Sequence, residues 1–280
     1  MKFLRNIENG SINIKQMGII KGFLVVLLSI LLEVLGQVPV EIKNLFSGRF
    51  EKALPFVIFA FGVLVKYYVI IILLKCLSNS RNERKLKYHI NPMSFVFAAI
   101  MIIAFRLIFD NSLTFWVSRI SMPDFINGAF EELTVSPIKL ILSAAVIAPI
   151  YEEIIFRGIL LKGMSKKINP TIALVVSALF FAVVHLNVPQ GINAFLLGLV
   201  IGFIYLTTDS IYLSIFAHFI NNLLALSVSS SFALIGGKYA LEIHGMFFIL
   251  GVILLVIACM GYEQNKIRNV SSSYKHYIGI

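Results

Sequence analysis

Glu152 and Glu153 stand side by side in an apolar run that begins at Ala144 and continues through Ile154, Ile155 and Phe156 to Arg157. A carboxylate near the middle of a bilayer costs about 2.5–3.5 kcal/mol on insertion scales. Two in succession, with an arginine four residues after the second, mark a candidate site. Other polar groups fall in later apolar runs: His185 closes the run that starts at Ala173, and His218 and Asn222 lie one helical turn apart on one face. A glutamate, two histidines and an amide can hydrolyse an acyl bond. The carboxylate takes a proton from water, and a neutral imidazole helps hold that water. A second imidazole and an amide N–H stabilise the oxyanion that forms.

Each group also has a structural use. Glu153 and Arg157 are spaced for an internal ion pair, which suits a supporting role beside Glu152. His185 and His218 are each compatible with a hydrogen-bonded core histidine, Phe181 with packing against the His185 ring, and Asn222 with a bridge between helices. No serine or cysteine has a convincing nucleophile setting. The HExxH zinc signature is absent. Glu152, His185 and His218 nevertheless make a donor set suited to zinc with one open position. The sequence leaves metal-activated and carboxylate-activated water both open.

Helices must carry these groups through a membrane. The chain has 280 residues, 59% of them hydrophobic and only 14% charged. Soluble domains have about 25% charged residues, so this is a polytopic membrane protein. Runs of roughly 20 apolar residues mark spans. Eight candidates appear: 19–40, 53–77, 93–110, 136–164, 170–187, 192–207, 211–234 and 243–261. The expected fold is therefore an all-α bundle of about eight transmembrane helices in a single membrane domain, 1–280. At about 1.5 Å rise per residue, Glu152 lies roughly 20 Å from its helix end near Ser165, and His185 about 22 Å from Pro170. Asn222 lies about 17 Å, and His218 about 10 Å, from Ile211. These depths allow a shared pocket. Pro149 removes a backbone donor, and an α-helical register then frees the carbonyl of Ala145. Gly198 and Gly202 allow close helix contact.

The net charge of +10 sits between apolar runs, which fits the positive-inside bias and gives no reason to invoke nucleic acid. With eight spans, one side collects Lys2, Arg5 and Lys15; then Arg81, Arg84, Lys85 and Lys87; then Lys162, Lys166 and Lys167; and finally Lys266, Arg268 and Lys275. That side is predicted to be cytoplasmic, with both termini, in the plasma membrane. The opposite loops carry Asp124, Glu131 and Glu132, and also Lys43, Arg49 and Lys52 against Glu41 and Glu51. Phe115 and Trp116 mark an interfacial segment. Cys76 and Cys259 lie in apolar runs, where neither a disulfide nor a metal site is expected. No cleavable signal peptide is expected.

Three motifs, Glu-Glu-x-x-x-Arg at Glu152–Arg157, Phe-x-x-x-His at Phe181–His185 and His-x-x-x-Asn at His218–Asn222, resemble those of the CPBP intramembrane proteases. This group contains the CAAX prenyl endopeptidases and the bacterial Abi proteins. The stretch from Ala194 to Gly202 is also similar. The resemblance covers about 140–225. It implies a catalytic core at 136–225 and family-variable spans over 1–130. It further implies that Glu152 and His185 activate water, that His218 and Asn222 form the oxyanion site, and that Glu153 and Arg157 position them. Members are often labelled metalloproteases, and a metal-free glutamate mechanism is also argued. Phe219 departs from the family, which often has a small residue there.

The expected function is a bacterial intramembrane endopeptidase with a peptide or protein substrate, in bacteriocin immunity or peptide processing. The Lys-, Ile- and Asn-rich composition fits a low-GC bacterium. Two rivals are a transporter using buried Glu and His, and a non-catalytic immunity or scaffold protein.

Overall fold

The computed structural model describes residues 2–41, 54–79, 91–123, 136–232 and 240–277. Its main helices are α1 (Lys2–Glu8), α2 (Ile19–Glu41), α3 (Leu54–Leu77), α4 (Pro92–Asp110), α5 (137–165), α6 (Pro170–Val183), α7 (Val188–Thr208), α8 (Ile211–Phe232) and α9 (Ala240–Tyr277). Eight of them, α2 to α9, overlie the expected spans. Among the described residues, four helical stretches are long and apolar enough to cross a membrane: Phe56–Leu77, Pro92–Asp110, Val188–Thr208 and Ala240–Gln264. Pro170–Val183 and Ile211–Ser227 are shorter apolar helices. The protein is a multi-pass helical membrane bundle. Arg81, Arg84, Lys85, Lys87, Lys43, Arg49, Lys52, Glu51, Asp124, Glu131 and Glu132 lie outside the described residues.

Local sequence sets the helix starts. Asn91, Asn169 and Asn187 each accept a backbone N–H in the first turn of α4, α6 and α7. A proline follows each within two residues, where its missing N–H costs nothing. The fifth expected span is cut short for this reason. Residues 170–187 do not form one helix: α6 ends at Val183. Leu186 adopts a left-handed conformation, φ 56°, and Asn187 begins the next helix. His185 therefore sits on a turn just past α6, and not within it.

The central helix α5 is irregular. It is α-helical at Ala148–Glu153 and π-helical on both sides, over Ile141–Ile147 and Ile154–Leu161. This corrects the expectation for Pro149. The Ala148 N–H already reaches back five residues to the Ser143 carbonyl. In that register the missing N–H of Pro149 orphans the carbonyl of Ala144, not that of Ala145. Lipid supplies no donor, so a neighbouring helix must.

The small residues of α7 act as expected. A Cβ on Gly198 would stand 3.0 Å from Ala178 Cβ and 3.1 Å from its Cα, so α6 and α7 touch at that point. On Gly202 it would meet Leu174 Cδ1 at 2.3 Å. α9 runs along α4 in the same manner, with Gly251 against Leu107 and Ile108, and Gly261 against Phe97.

The segment before α2 lies outside the expected spans. It is instead built into one end of the bundle, with Leu4, Ile7, Ile14 and Met17 buried. Asn13–Ile14 pairs antiparallel with Ser78–Asn79, the only strands among the described residues and a small exception to the all-α pattern. The Met17 N–H donates to Gly163 O at 2.9 Å. Lys166 Nζ donates to Asn13 Oδ1 at 2.8 Å and to Ile14 O at 2.7 Å. Glu8 Oε2 accepts the Ile211 N–H at 2.8 Å and so caps α8. The N-terminal segment, the end of α5 and the start of α8 therefore share one end, as the lysine distribution requires. Phe115 and Trp116 lie exposed on a short turn after α4, with the Arg119 guanidinium over both rings, as an interfacial segment would. Cys76 and Cys259 are free.

Gly198→Val should force α6 and α7 apart. Overpacking of this kind costs about 1–3 kcal/mol. A lowered unfolding temperature in detergent is the expected result, with no matching loss for Gly62→Val, whose Cβ would meet nothing within 4 Å.

Candidate active site

The site is centred on a charge that lipid would reject. Arg157, on α5, is 1% exposed. Its Nη1 donates to Glu153 Oε1 at 2.9 Å, one turn earlier. Its Nη2 donates to the Gly198 carbonyl on α7 at 3.3 Å. The guanidinium carbon lies 4.8 Å from the centre of the Phe181 ring on α6. The expected Glu153–Arg157 pair is therefore present and fully buried.

Glu153 also faces α8. Its Oε1 is 2.7 Å from His218 Nδ1. A glutamate already paired with arginine is an acceptor, so His218 donates from Nδ1 and its Nε2 points elsewhere. That Nε2 is 3.7 Å from Glu152 Oε2. The gap is too long for a hydrogen bond. It is short enough for one water to touch both atoms. The Glu152 side chain is 24% exposed, against 0% for Glu153. Adjacent glutamates thus have different surroundings: Glu153 is held in a buried ion network, and Glu152 is partly exposed.

His185 joins through aromatic packing. Its ring stands edge-on to Phe181 at 5.1 Å, and the His218 ring does the same at 5.6 Å. Phe156 covers Phe181 from α5 at 5.0 Å. One phenyl ring therefore spaces both imidazoles. His185 Nδ1 lies 2.8 Å from the Phe181 carbonyl, which can only accept. This fixes the proton on Nδ1 and leaves the Nε2 lone pair for a ligand. Asn222, one turn beyond His218, donates Nδ2 to the Ala144 carbonyl at 2.8 Å. This bond ties α8 to α5 at the carbonyl orphaned by Pro149. Ser177 Oγ makes a similar tie from α6 to the Phe156 carbonyl at 2.9 Å.

Every expected site residue falls in this one region. Glu152, Glu153, Arg157 and His218 are in direct or near contact, His185 is linked by Phe181, and Asn222 by its place on α8. The zinc alternative fares differently. Among the described residues, no three His, Cys, Asp or Glu side chains come together as a metal site. With Nδ1 engaged, each histidine keeps Nε2 as its free ring nitrogen, but Glu152, His185 and His218 do not close on one point as metal ligands. As placed, this donor set does not fit zinc.

Some neighbours escaped the sequence reading. Glu33 on α2 and Lys66 on α3 form an ion pair. Lys66 Nζ lies over the ring of Tyr151 at 4.3 Å, next to Glu152 in the chain. The available signal was one charge inside each of two apolar runs. Asn221, 3% exposed, donates Nδ2 to Asn222 Oδ1 at 2.9 Å. Adjacent asparagines gave no spacing signal.

Residues 134–224 match the family model described as "Type II CAAX prenyl endopeptidase Rce1-like". The matched segment holds every candidate residue. Over this third of the chain the protein is similar to the CPBP family. A Bacillus subtilis protein named "Putative membrane peptidase YdiL" is 34% identical over 86 residues, 31% of this chain. The chain spans about a third of the length of that curated relative, 35%. No solved structure matches. The matched segment begins just before α5 and ends in α8, just past Asn222.

Removing one member of the buried pair should be far worse than removing both. Arg157→Met leaves Glu153 buried and uncompensated, a change that costs about 3–5 kcal/mol. Chemical or thermal unfolding should show Glu153→Gln with Arg157→Met losing much less than the two single losses combined. Additive losses would mean that the two charges do not act as a pair.

Proposed function

We propose that the protein is a membrane-embedded endopeptidase that hydrolyses a peptide bond with carboxylate-activated water. The observation that carries this reading is the contrast between the two glutamates. Glu153 is fully buried and bound through Oε1 to both Arg157 and His218, and Glu152, 3.7 Å from His218 Nε2, is partly exposed. The match of residues 134–224 to the family model supports it.

In this mechanism Glu152 is the general base and His185 Nε2 holds the water. Glu152 takes one proton from the water, and the hydroxide oxygen bonds to the substrate carbonyl carbon. The carbonyl π electrons move to oxygen. Asn222, through its second amide N–H, and His218, through Nε2–H in its doubly protonated form, stabilise that oxyanion. When the tetrahedral intermediate collapses, the C–N bond breaks and Glu152 passes its proton to the departing amine. Glu153 and Arg157 position His218 and do not touch substrate. The substrate is a peptide or protein segment in or at the bilayer, and we assign the role to bacteriocin immunity or peptide processing in a bacterium. The end of the bundle that holds Lys15, Lys162 and Lys166 is assigned to the cytoplasm, with both termini.

Glu152→Gln keeps the shape and removes the base. Loss of a general base lowers rate by about 10²–10⁴-fold. Terminal-amine labelling of membranes from cells expressing either form should show peptide ends that require Glu152, at equal expression. Equal cleavage by both forms would overturn the reading and favour a binding role. Cleavage is expected to survive exhaustive chelation; a loss that zinc alone restores would move water activation to a metal.

A further inference from the structure

Asn222 is held by a carbonyl that its neighbouring helix cannot satisfy. Ahead of Pro149, α5 runs in a π register, shown by the Ala148 N–H donating to Ser143 O. The next donor in that register belongs to residue 149 and would serve Ala144. Residue 149 is a buried proline, with no N–H to give. The Ala144 carbonyl is met instead by Asn222 Nδ2 at 2.8 Å, across 78 residues of sequence. At the other end of the same amide, Asn222 Oδ1 accepts from Asn221 Nδ2 at 2.9 Å. Nitrogen and oxygen are therefore both fixed, and the amide cannot flip without losing two bonds. One N–H of the amide faces Ala144, which leaves the second for a ligand.

We propose that Pro149 is a positioning residue for the reaction: by withholding an N–H from Ala144, it draws the Asn222 amide onto α5 and sets its free N–H beside the scissile carbonyl. The inference rests on the proposed oxyanion role of Asn222. A proline whose only task is to bend α5 would serve equally well with any residue at 222. Here the donor vacancy and the amide that fills it form one device. Asn221 locks the same amide from its oxygen side.

The test is a cycle of wild type, Pro149→Ala, Asn222→Ala and the double variant in proteoliposomes. Pro149→Ala supplies the missing N–H to Ala144 and should release the amide. In protein labelled with ¹⁵N at asparagine, the Asn222 side-chain amide resonances, assigned by their loss in Asn222→Ala, should move and draw together. On a peptide that wild type cleaves, kcat should fall about 10- to 100-fold with KM within about twofold. In the Asn222→Ala background, Pro149→Ala should lower kcat no further, because residues acting as one unit are not additive. An unmoved resonance, an unchanged kcat, or a second full loss in the double variant would overturn the proposal. If Glu152→Gln cleaves as well as wild type, the proposed reaction fails, and the resonance shift separately decides whether Pro149 holds the amide. Should Pro149→Ala not fold, Asn222→Leu reads the same contact by stability. It strands the Ala144 carbonyl and should lower the unfolding temperature by several degrees, and an unchanged temperature would equally overturn the proposal.

Discussion

The guanidinium of Arg157 is the constraint on which the rest of the structure depends. A buried arginine in a membrane bundle must be neutralised and its donors used. Glu153 on its own helix supplies the charge, Gly198 on α7 supplies a carbonyl, and Phe181 on α6 supplies a ring face. Glu153 then reaches His218 on α8. One cation thus fixes four helices relative to one another. The helix contact at Gly198 is also part of the site: the residue that meets Ala178 of α6 also gives its carbonyl to Arg157.

Backbone irregularity has a similar double use. In hydrocarbon, an orphaned carbonyl needs a partner from a neighbouring helix. α5 offers one such point, at Ala144, and a second carbonyl at Phe156 takes a further bond from outside. Asn222 reaches Ala144 from α8, and Ser177 reaches Phe156 from α6. These are polar anchors in a bundle whose apolar side chains have little reason to prefer one another over lipid. π-helical segments are frequent at functional sites, and here they adjoin the glutamates on both sides.

Much of this was legible from spacing. Glu153 and Arg157 are four apart and one turn of helix joins them, so the ion pair followed directly. The same rule placed His218 and Asn222 on one face, and apolar run length located the helices within a few residues. What stayed hidden was register. Hydrophobic pattern cannot distinguish an α-helix from a π-helix through an apolar run, so the orphaned carbonyl was expected at Ala145 and lies at Ala144. His185 sits past the end of α6 because Asn187 and Pro189 start a new helix immediately afterwards, a cap signal overridden by the continuous apolar run. The pairing of Glu33 with Lys66 depends on which helices become neighbours, and that information is not local. Residues 4–17 lacked a long apolar run, yet four of their apolar side chains find cover at the end of the bundle.

That last segment bears on the order of assembly. Glu8 leaves the ribosome 203 residues before Ile211, whose N–H it caps, and Asn13 leaves 153 residues before Lys166. The strand at Asn13–Ile14 can pair with Ser78–Asn79 once α3 is made, but Ile7 and Met17 must wait for Gly158 and Gly163 of α5. The base of the protein closes only when α5 and α8 have arrived. Closure of this kind over a long sequence separation is slow, and it makes the seating of Ile7 and Met17 a late event in the maturation of the chain.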